Sequence, residues 1–223
     1  SLVVSSVMAI VHTNVKRMLA YSSISHAGFM LLGVTAASAA GTSAALFYLL
    51  AYTFMVAGSF GVVTLIGRTG DGRHSLDDYR GLSRARPGLA LLFTVFLLAQ
   101  SGLPLTGGFL AKFYVIGAVV DEGFYALAVI AMLSAVIAAF LYLRIMISMW
   151  VGDADENAPV LTVPFSMGAV IAVSVAFTIA LGVLIVAPTA FWVRLRLPRL
   201  RPFIEFVTLL PLALGANTFP VAV

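Results

Sequence analysis

The 223 residues are 61% hydrophobic and only 10% charged, with a mean hydropathy of +1.08, a balance that excludes an ordinary soluble domain. The formal charge of +4 is concentrated in two short stretches, 68–86 and 194–201, which suits loops facing an anionic leaflet and argues against a nucleic-acid partner. The absence of cysteine excludes disulfides, Cys-ligated iron–sulfur clusters and Cys-based zinc sites, so any redox chemistry is expected on partner chains.

At about 20 apolar residues per span, seven hydrophobic segments follow one another at 1–21, 24–40, 43–66, 89–102, 105–120, 124–151 and 163–186. In hydrocarbon every backbone N–H and C=O needs an internal partner, and these apolar runs are continuous where a barrel strand would alternate. The expected fold is therefore an all-α, polytopic transmembrane helix bundle. A broken helix is expected around Gly102 and Gly108, where Gly102, Leu103, Pro104, Leu105, Thr106, Gly107 and Gly108 interrupt the pattern. The connections at 41–42, 68–88, 121–123 and 152–162 are short and polar and leave no room for a soluble domain. Residues 1–193 form the expected transmembrane domain. The tail at 194–223 is basic and apolar, broken by Pro202, Pro211, Gly215 and Pro220, and no function is assigned to it. The chain opens with Ser1 already inside an apolar run, which reads as a piece of a longer protein. Taking each segment as one crossing puts 68–88 and 194–201 on one face and Asp153, Asp155 and Glu156 on the other, and the positive-inside rule makes the arginine face cytoplasmic.

Two lysines occur, Lys16 and Lys112, and both lie in hydrophobic segments, whereas arginine takes every other basic position except the histidines. The division carries chemical information, because a guanidinium stays charged in almost any environment and an ammonium can release its proton when desolvated. Lys112 is the one charge between Pro87 and Val120. The next charge, Asp121, lies nine residues on, about 13 Å along a helix, so snorkelling to a surface is a long reach. A lone ammonium at membrane depth marks an ion or proton pathway, and a broken helix beside it supplies polar backbone lining a cavity. Around Lys16 a polar thread runs through His12, Thr13, Asn14, Ser22, Ser23, Ser25 and His26. On one continuous helix His12, Lys16 and Ser23 would share a face. His12 and His26 are further relay candidates, since imidazole both accepts and donates a proton near neutral pH. The alternative reading is that Lys16 and Arg17 end a helix at the headgroups, with the histidines packed in place. Arg144 reads as an interface anchor, and Asp71, Asp77 and Asp78 as loop residues. No phosphate-binding loop, nucleophile elbow or zinc-protease motif is present.

The run Asn14-Val15-Lys16-Arg17-Met18-Leu19-Ala20-Tyr21-Ser22-Ser23-Ile24-Ser25-His26-Ala27-Gly28 closely resembles the signature of the antiporter-like membrane subunits of respiratory complex I, the proton-pumping NADH:quinone oxidoreductase. The run from Gly102 through Lys112 to Tyr114 looks like the second broken helix of the same family, and the resemblance extends over about residues 1–186. Among the branches, the L and M subunits and the related Mrp-type antiporters usually carry His-x-x-x-His-x-x-x-Lys on the third span. Here Tyr48, Tyr52 and Val56 stand at those places, and Asp77-Asp78-Tyr79-Arg80-Gly81-Leu82 also reads like subunit N. The resemblance implies part of an inverted-repeat antiporter fold in the bacterial inner (plasma) membrane, whose Glu–Lys pair would lie upstream of Ser1. Lys16 would be the connecting lysine and Lys112 the exit-side lysine of a relay coupled to quinone reduction elsewhere. It also implies L-like, M-like and quinone-site subunits as partners, with NADH, FMN, iron–sulfur clusters and quinone on those subunits and no cofactor here. The competing readings are an Mrp-type cation/proton antiporter subunit and a non-pumping structural membrane subunit of a hydrogenase-like complex.

Overall fold

The computed structural model describes residues 1–67, 74–104, 106–151 and 163–196, with side chains through 184. The described chain is helical, as expected: α1 (Leu2–Val11), α2 (Val15–Thr35), α3 (Ala39–Ile66), a 3₁₀ turn (Leu76–Tyr79), the one-turn α4 (Leu82–Ala85), α5 (Pro87–Ser101), α6 (Gly107–Asp121), α7 (Tyr125–Val151) and α8 (Phe165–Arg196). Within these residues α2, α3, α7 and residues 165–184 of α8 are long and apolar enough to cross a membrane. On α7 the exposed residues Val129, Leu133, Val136, Phe140, Leu143 and Ile147 recur at helical spacing, an apolar stripe suited to lipid.

The first expected segment, 1–21, is in fact two helices. Residues His12 and Asn14 are extended, and the Asn14 side chain caps α2 by accepting from the Arg17 amide at 3.0 Å. The backbone groups released by the break are taken by the loop after α3: the Val15 amide donates to the His74 carbonyl at 2.6 Å and the Leu76 amide to the Thr13 carbonyl at 2.9 Å. No glycine or proline is needed to end a helix whose orphan groups find partners this way. α2 then continues through the expected gap at 22–23 and turns back into α3, with the Gly33 and Gly41 backbones in close approach.

The fourth and fifth expected segments are two halves of one crossing. Each of α5 and α6 has 15 residues, about 22 Å, short of a roughly 30 Å hydrocarbon core. Leu65 lines a groove with Leu89, the Phe96 ring fills the space beside Gly58, and the Gln100 side chain reaches the Met55 carbonyl. Further along, Gly108 meets the Met55 sulfur, the Tyr114 ring contacts Phe47, and Asp121 lines a pocket with Ala40. α5 and α6 thus run in succession antiparallel to the full length of α3, and their break faces its middle.

This pairing corrects the expected topology. Asp121 ends on the face opposite the 74–86 loop, and α7 returns to the loop face, where Ser148 donates to the Leu76 carbonyl at 2.8 Å. α8 starts at that face, Val163 sharing a groove with Leu65 and Arg86, and runs antiparallel to α3 past Gly61 and Phe54. The connection bearing Asp153, Asp155 and Glu156 therefore leaves and rejoins the described chain on the same face as the arginine loop, not across from it. α8 extends to Arg196, past the boundary expected at Val186. The rest of the tail, 197–223, along with Asp71 and residues 152–162, lies outside the described residues.

Gly58 is the tightest helix contact to test, because a Cβ there would fall on the Phe96 ring. Gly58→Val is expected to destabilise the bundle by about 1–3 kcal/mol through overpacking, seen as a lower thermal unfolding midpoint in detergent. Gly88→Ala, where a Cβ meets nothing, should leave that midpoint in place.

Candidate functional site

The interruption between α5 and α6 is built from the carbonyl ends of α5. Gly102 takes the left-handed conformation, φ +83, and closes a Schellman motif: its amide binds the Ala99 carbonyl at 3.1 Å and the Leu103 amide binds Leu98 at 3.2 Å. Among the described residues no amide donates to the carbonyls of Gln100 and Ser101. Lys112 Nζ donates to both, at 2.8 Å each. The lysine sits in the second turn of α6, and a helical side chain leans toward its own N-terminus, so it reaches back across the break onto the negative end of the α5 dipole. Gly108 makes this reach possible, since any side chain there would collide with the Ala99 carbonyl. Gln100 is pinned in turn by its amide, which donates to the Met55 carbonyl at 3.2 Å and to Ser59 Oγ.

Lys112 is 7% exposed and its Nζ lies 5.6 Å from the centre of the Phe29 ring. Phe29 stacks on Tyr48 at 5.9 Å between centroids, and the Tyr48 hydroxyl is 2.8 Å from His26 Nδ1. His26, 3% exposed, is bonded on its other side, Nε2 lying 2.8 Å from the Tyr142 hydroxyl. Tyr52 stacks on the imidazole at 4.3 Å, and its hydroxyl donates to Ser23 at 2.7 Å. Along α2, His26 stands eleven residues from Val15, about 16 Å from that helix end and so near mid-membrane.

The four candidates read from the sequence are thus separated. Lys112 and His26 share the buried centre. Lys16 is exposed in the first turn of α2, where it lines a pocket with Thr64, Gly67 and His74 near the loop face. His12 lies in the α1–α2 break with its ring stacked on Tyr21 at 5.0 Å. Because the break intervenes, His12 and Lys16 do not share a helical face. Arg144 is not turned toward headgroups: its Nη1 donates to the carbonyls of Ile10 at 2.8 Å and His12 at 3.3 Å, capping the end of α1 as Lys112 caps α5. The hydroxyl partners Tyr142 and Tyr48 were not evident in the sequence as site residues. Tyr142 is 116 positions from His26, and a buried tyrosine in an apolar helix carries no local sign of its partner. Among the described residues no three His, Asp or Glu side chains converge as a metal site requires.

The sequence profile of the family described as NADH:quinone oxidoreductase/Mrp antiporter, TM matches residues 1–138. The chain is 47% identical over 178 residues to a protein of Streptomyces griseus subsp. griseus named NADH-quinone oxidoreductase subunit N 3, covering 79% of this chain and 32% of that protein. It is similar in structure to a chain of respiratory complex I from Thermus thermophilus, with a TM-score of 0.70, 30% identity and coverage of 82% of this chain and 41% of that one. A chain of the membrane-bound sulfane sulfur reductase, an archaeal respiratory membrane complex, matches with a TM-score of 0.73 and 29% identity over 86% of this chain and 38% of that one. The chain spans about one third of the length of the curated relative.

Replacing Arg144 by methionine keeps an apolar stem and removes both bonds to the α1 carbonyls. The expected loss is about 1.5–3 kcal/mol of local stability, as for hydrogen bonds to a charged group. It should appear as faster amide hydrogen exchange in the last turn of α1, with unchanged exchange in α3.

Proposed function

Because the chain belongs to the NADH:quinone oxidoreductase/Mrp antiporter transmembrane family, we propose that it is a proton-translocating membrane subunit of an NADH:quinone oxidoreductase, of the subunit N type, resident in the bacterial inner membrane. The observation that carries this reading is the buried Lys112 amine held by two backbone carbonyls at a mid-membrane helix break. An ammonium has three N–H bonds and a neutral amine has two. Both forms therefore satisfy the Gln100 and Ser101 carbonyls, and the third position on nitrogen is the one that gains or loses a proton. The site can cycle between charge states without breaking its anchoring bonds, which a guanidinium cannot do because it does not release its proton.

His26 supplies the second proton-handling group at the same depth. With both groups protonated the two like charges repel, so loading one favours unloading the other. In this reading a charge change arriving along the membrane arm from quinone reduction in partner subunits drives that exchange, and L-like, M-like and quinone-site subunits are the neighbours. NADH, FMN, iron–sulfur clusters and quinone belong to those partners, and this chain moves protons without a redox step of its own. Lys16, exposed near the loop face, and His12, in the α1–α2 break, stand outside the central pair.

Tyr48, Tyr52 and Val56 at the places where Mrp-type antiporters usually carry His, His and Lys argue against that alternative. The second reading is a non-pumping structural membrane subunit. Lys112→Arg separates it from the pump, since arginine restores a cation on the two carbonyls but cannot cycle. In proteoliposomes, Lys112→Arg and Lys112→Ala are both expected to slow proton movement through this chain about 100-fold or more, the scale of a lost acid–base group, with the complex still assembled. Native pumping by Lys112→Arg would instead favour the structural subunit.

A further inference from the structure

His26 is held by hydroxyls from two different helices, Tyr48 on α3 at Nδ1 and Tyr142 on α7 at Nε2, each at 2.8 Å. Tyr142 is hydrogen-bonded a second time, to Ser22 on α2. Tyr48, Tyr142, Ser22 and His26 are all buried. A neutral imidazole carries one N–H, so one ring nitrogen donates to its tyrosine and the other accepts from its tyrosine. The four groups then form one polarised file with two mirror arrangements, which differ in the imidazole tautomer and the sense of every hydroxyl.

Building on the relay reading above, we propose that Tyr48 and Tyr142 are the proton-passing partners of His26, and that Ser22–Tyr142–His26–Tyr48 carries one proton at a time between the Lys112 side and the α1–α2 break. The direction follows from position. Phe29, which contacts Lys112, stacks on Tyr48, and Ser22 lies four residues closer than His26 to the Asn14 cap of α2.

The transfer balances without any charged intermediate at rest. A proton delivered by water bonds to Tyr48 Oη as the phenol's own proton moves to His26 Nδ1. The Nε2 proton moves to Tyr142 Oη, the proton of Tyr142 moves to Ser22 Oγ, and the former Ser22 hydroxyl proton leaves to water. One O–H or N–H bond forms for each that breaks, and every group ends neutral with the imidazole in its other tautomer. The file is then polarised the wrong way for a second proton. Reloading requires the hydroxyls to rotate and the imidazole proton to return from Nδ1 to Nε2 by exchange with water outside the file, because a ring tethered at Cγ cannot swap its two nitrogens by turning. That requirement makes the file a single-proton device and not an open wire, with the Tyr52 ring stacked on the imidazole at 4.3 Å.

The test uses the whole complex in proteoliposomes and reads protons moved per NADH oxidised, with assembly checked on native gels. Tyr142→Phe, Tyr48→Phe and Ser22→Ala each remove one hydroxyl and keep the local packing. Each is expected to lower the proton yield at least about twofold, and the Tyr48→Phe/Tyr142→Phe double variant to be no worse than the poorer single, because steps in series do not add. Tyr125→Phe, an exposed site 66% accessible, should match the native complex. Native yield in the Tyr142→Phe and Ser22→Ala variants, or losses that multiply in the double variant, would overturn the file. If Lys112→Ala loses pumping while the hydroxyl variants keep it, the file is wrong and the relay reading stands. If Lys112→Ala pumps normally, the relay reading itself is wrong.

Discussion

The structure depends on how a helix can end in the middle of a membrane. Four carbonyls at a helix C-terminus have no intrahelical donor, and in hydrocarbon no bulk water replaces one. At the end of α5 the glycine turn satisfies Leu98 and Ala99, and Lys112 satisfies Gln100 and Ser101. The break and the buried lysine are therefore one feature. Without the amine the carbonyls are orphaned, and without the carbonyls a cation at that depth has no hydrogen-bonding shell. The glycines follow from the same geometry: Gly102 supplies the left-handed turn, and Gly108 lets the start of α6 approach the Ala99 carbonyl.

The α1–α2 interruption solves the same problem with different means. There Arg144, from α7, takes the carbonyls of Ile10 and His12, while the loop carbonyl of His74 accepts from the Val15 amide and the Leu76 amide donates to the Thr13 carbonyl. The choice of cation fits the two positions. A guanidinium holds fixed geometry and fixed charge, which suits a structural cap near a face. An amine keeps its two anchoring bonds in either protonation state, which suits a mid-membrane site that must change charge. Arg144 also ties α7 to α1, and Tyr142, two residues earlier on the same helix, ties α7 to α2. α7 is thus coupled to both the cap and the buried histidine, although its opposite side is an apolar stripe.

The buried centre is assembled from five elements, none sufficient alone, with α7 supplying Tyr142. α6 brings the amine, α5 its acceptors, α2 the imidazole and α3 two of the three aromatic hydroxyls around it. The antiparallel course of α5 and α6 along α3 holds these groups at one depth. A shift of one helical turn, about 5.4 Å, would separate the hydrogen-bonded partners at 2.8 Å, so the relay geometry is a direct consequence of the helix register.

Membrane embedding, the helical class and the interest of Lys112 were legible in the sequence, because they follow from composition, run length and one charge beside a Gly-Pro-Gly-Gly string. The family was legible for a similar reason, in two contiguous motifs. The α1–α2 break was not, although the Asn14 cap was a faint local sign, since its backbone partners come from a loop some sixty residues away. The number of crossings was misread because a 15-residue apolar helix can be a short span or half of a broken one, and only its packing along α3 distinguishes them. The role of Arg144 and the tyrosine partners of His26 were hidden for the same cause: hydrogen bonds between different helices, 22 to 134 positions apart, leave no periodic trace along the chain. Local free energies of burial and turn formation are written in the sequence, whereas the pairing of distant polar groups is decided only when the helices pack.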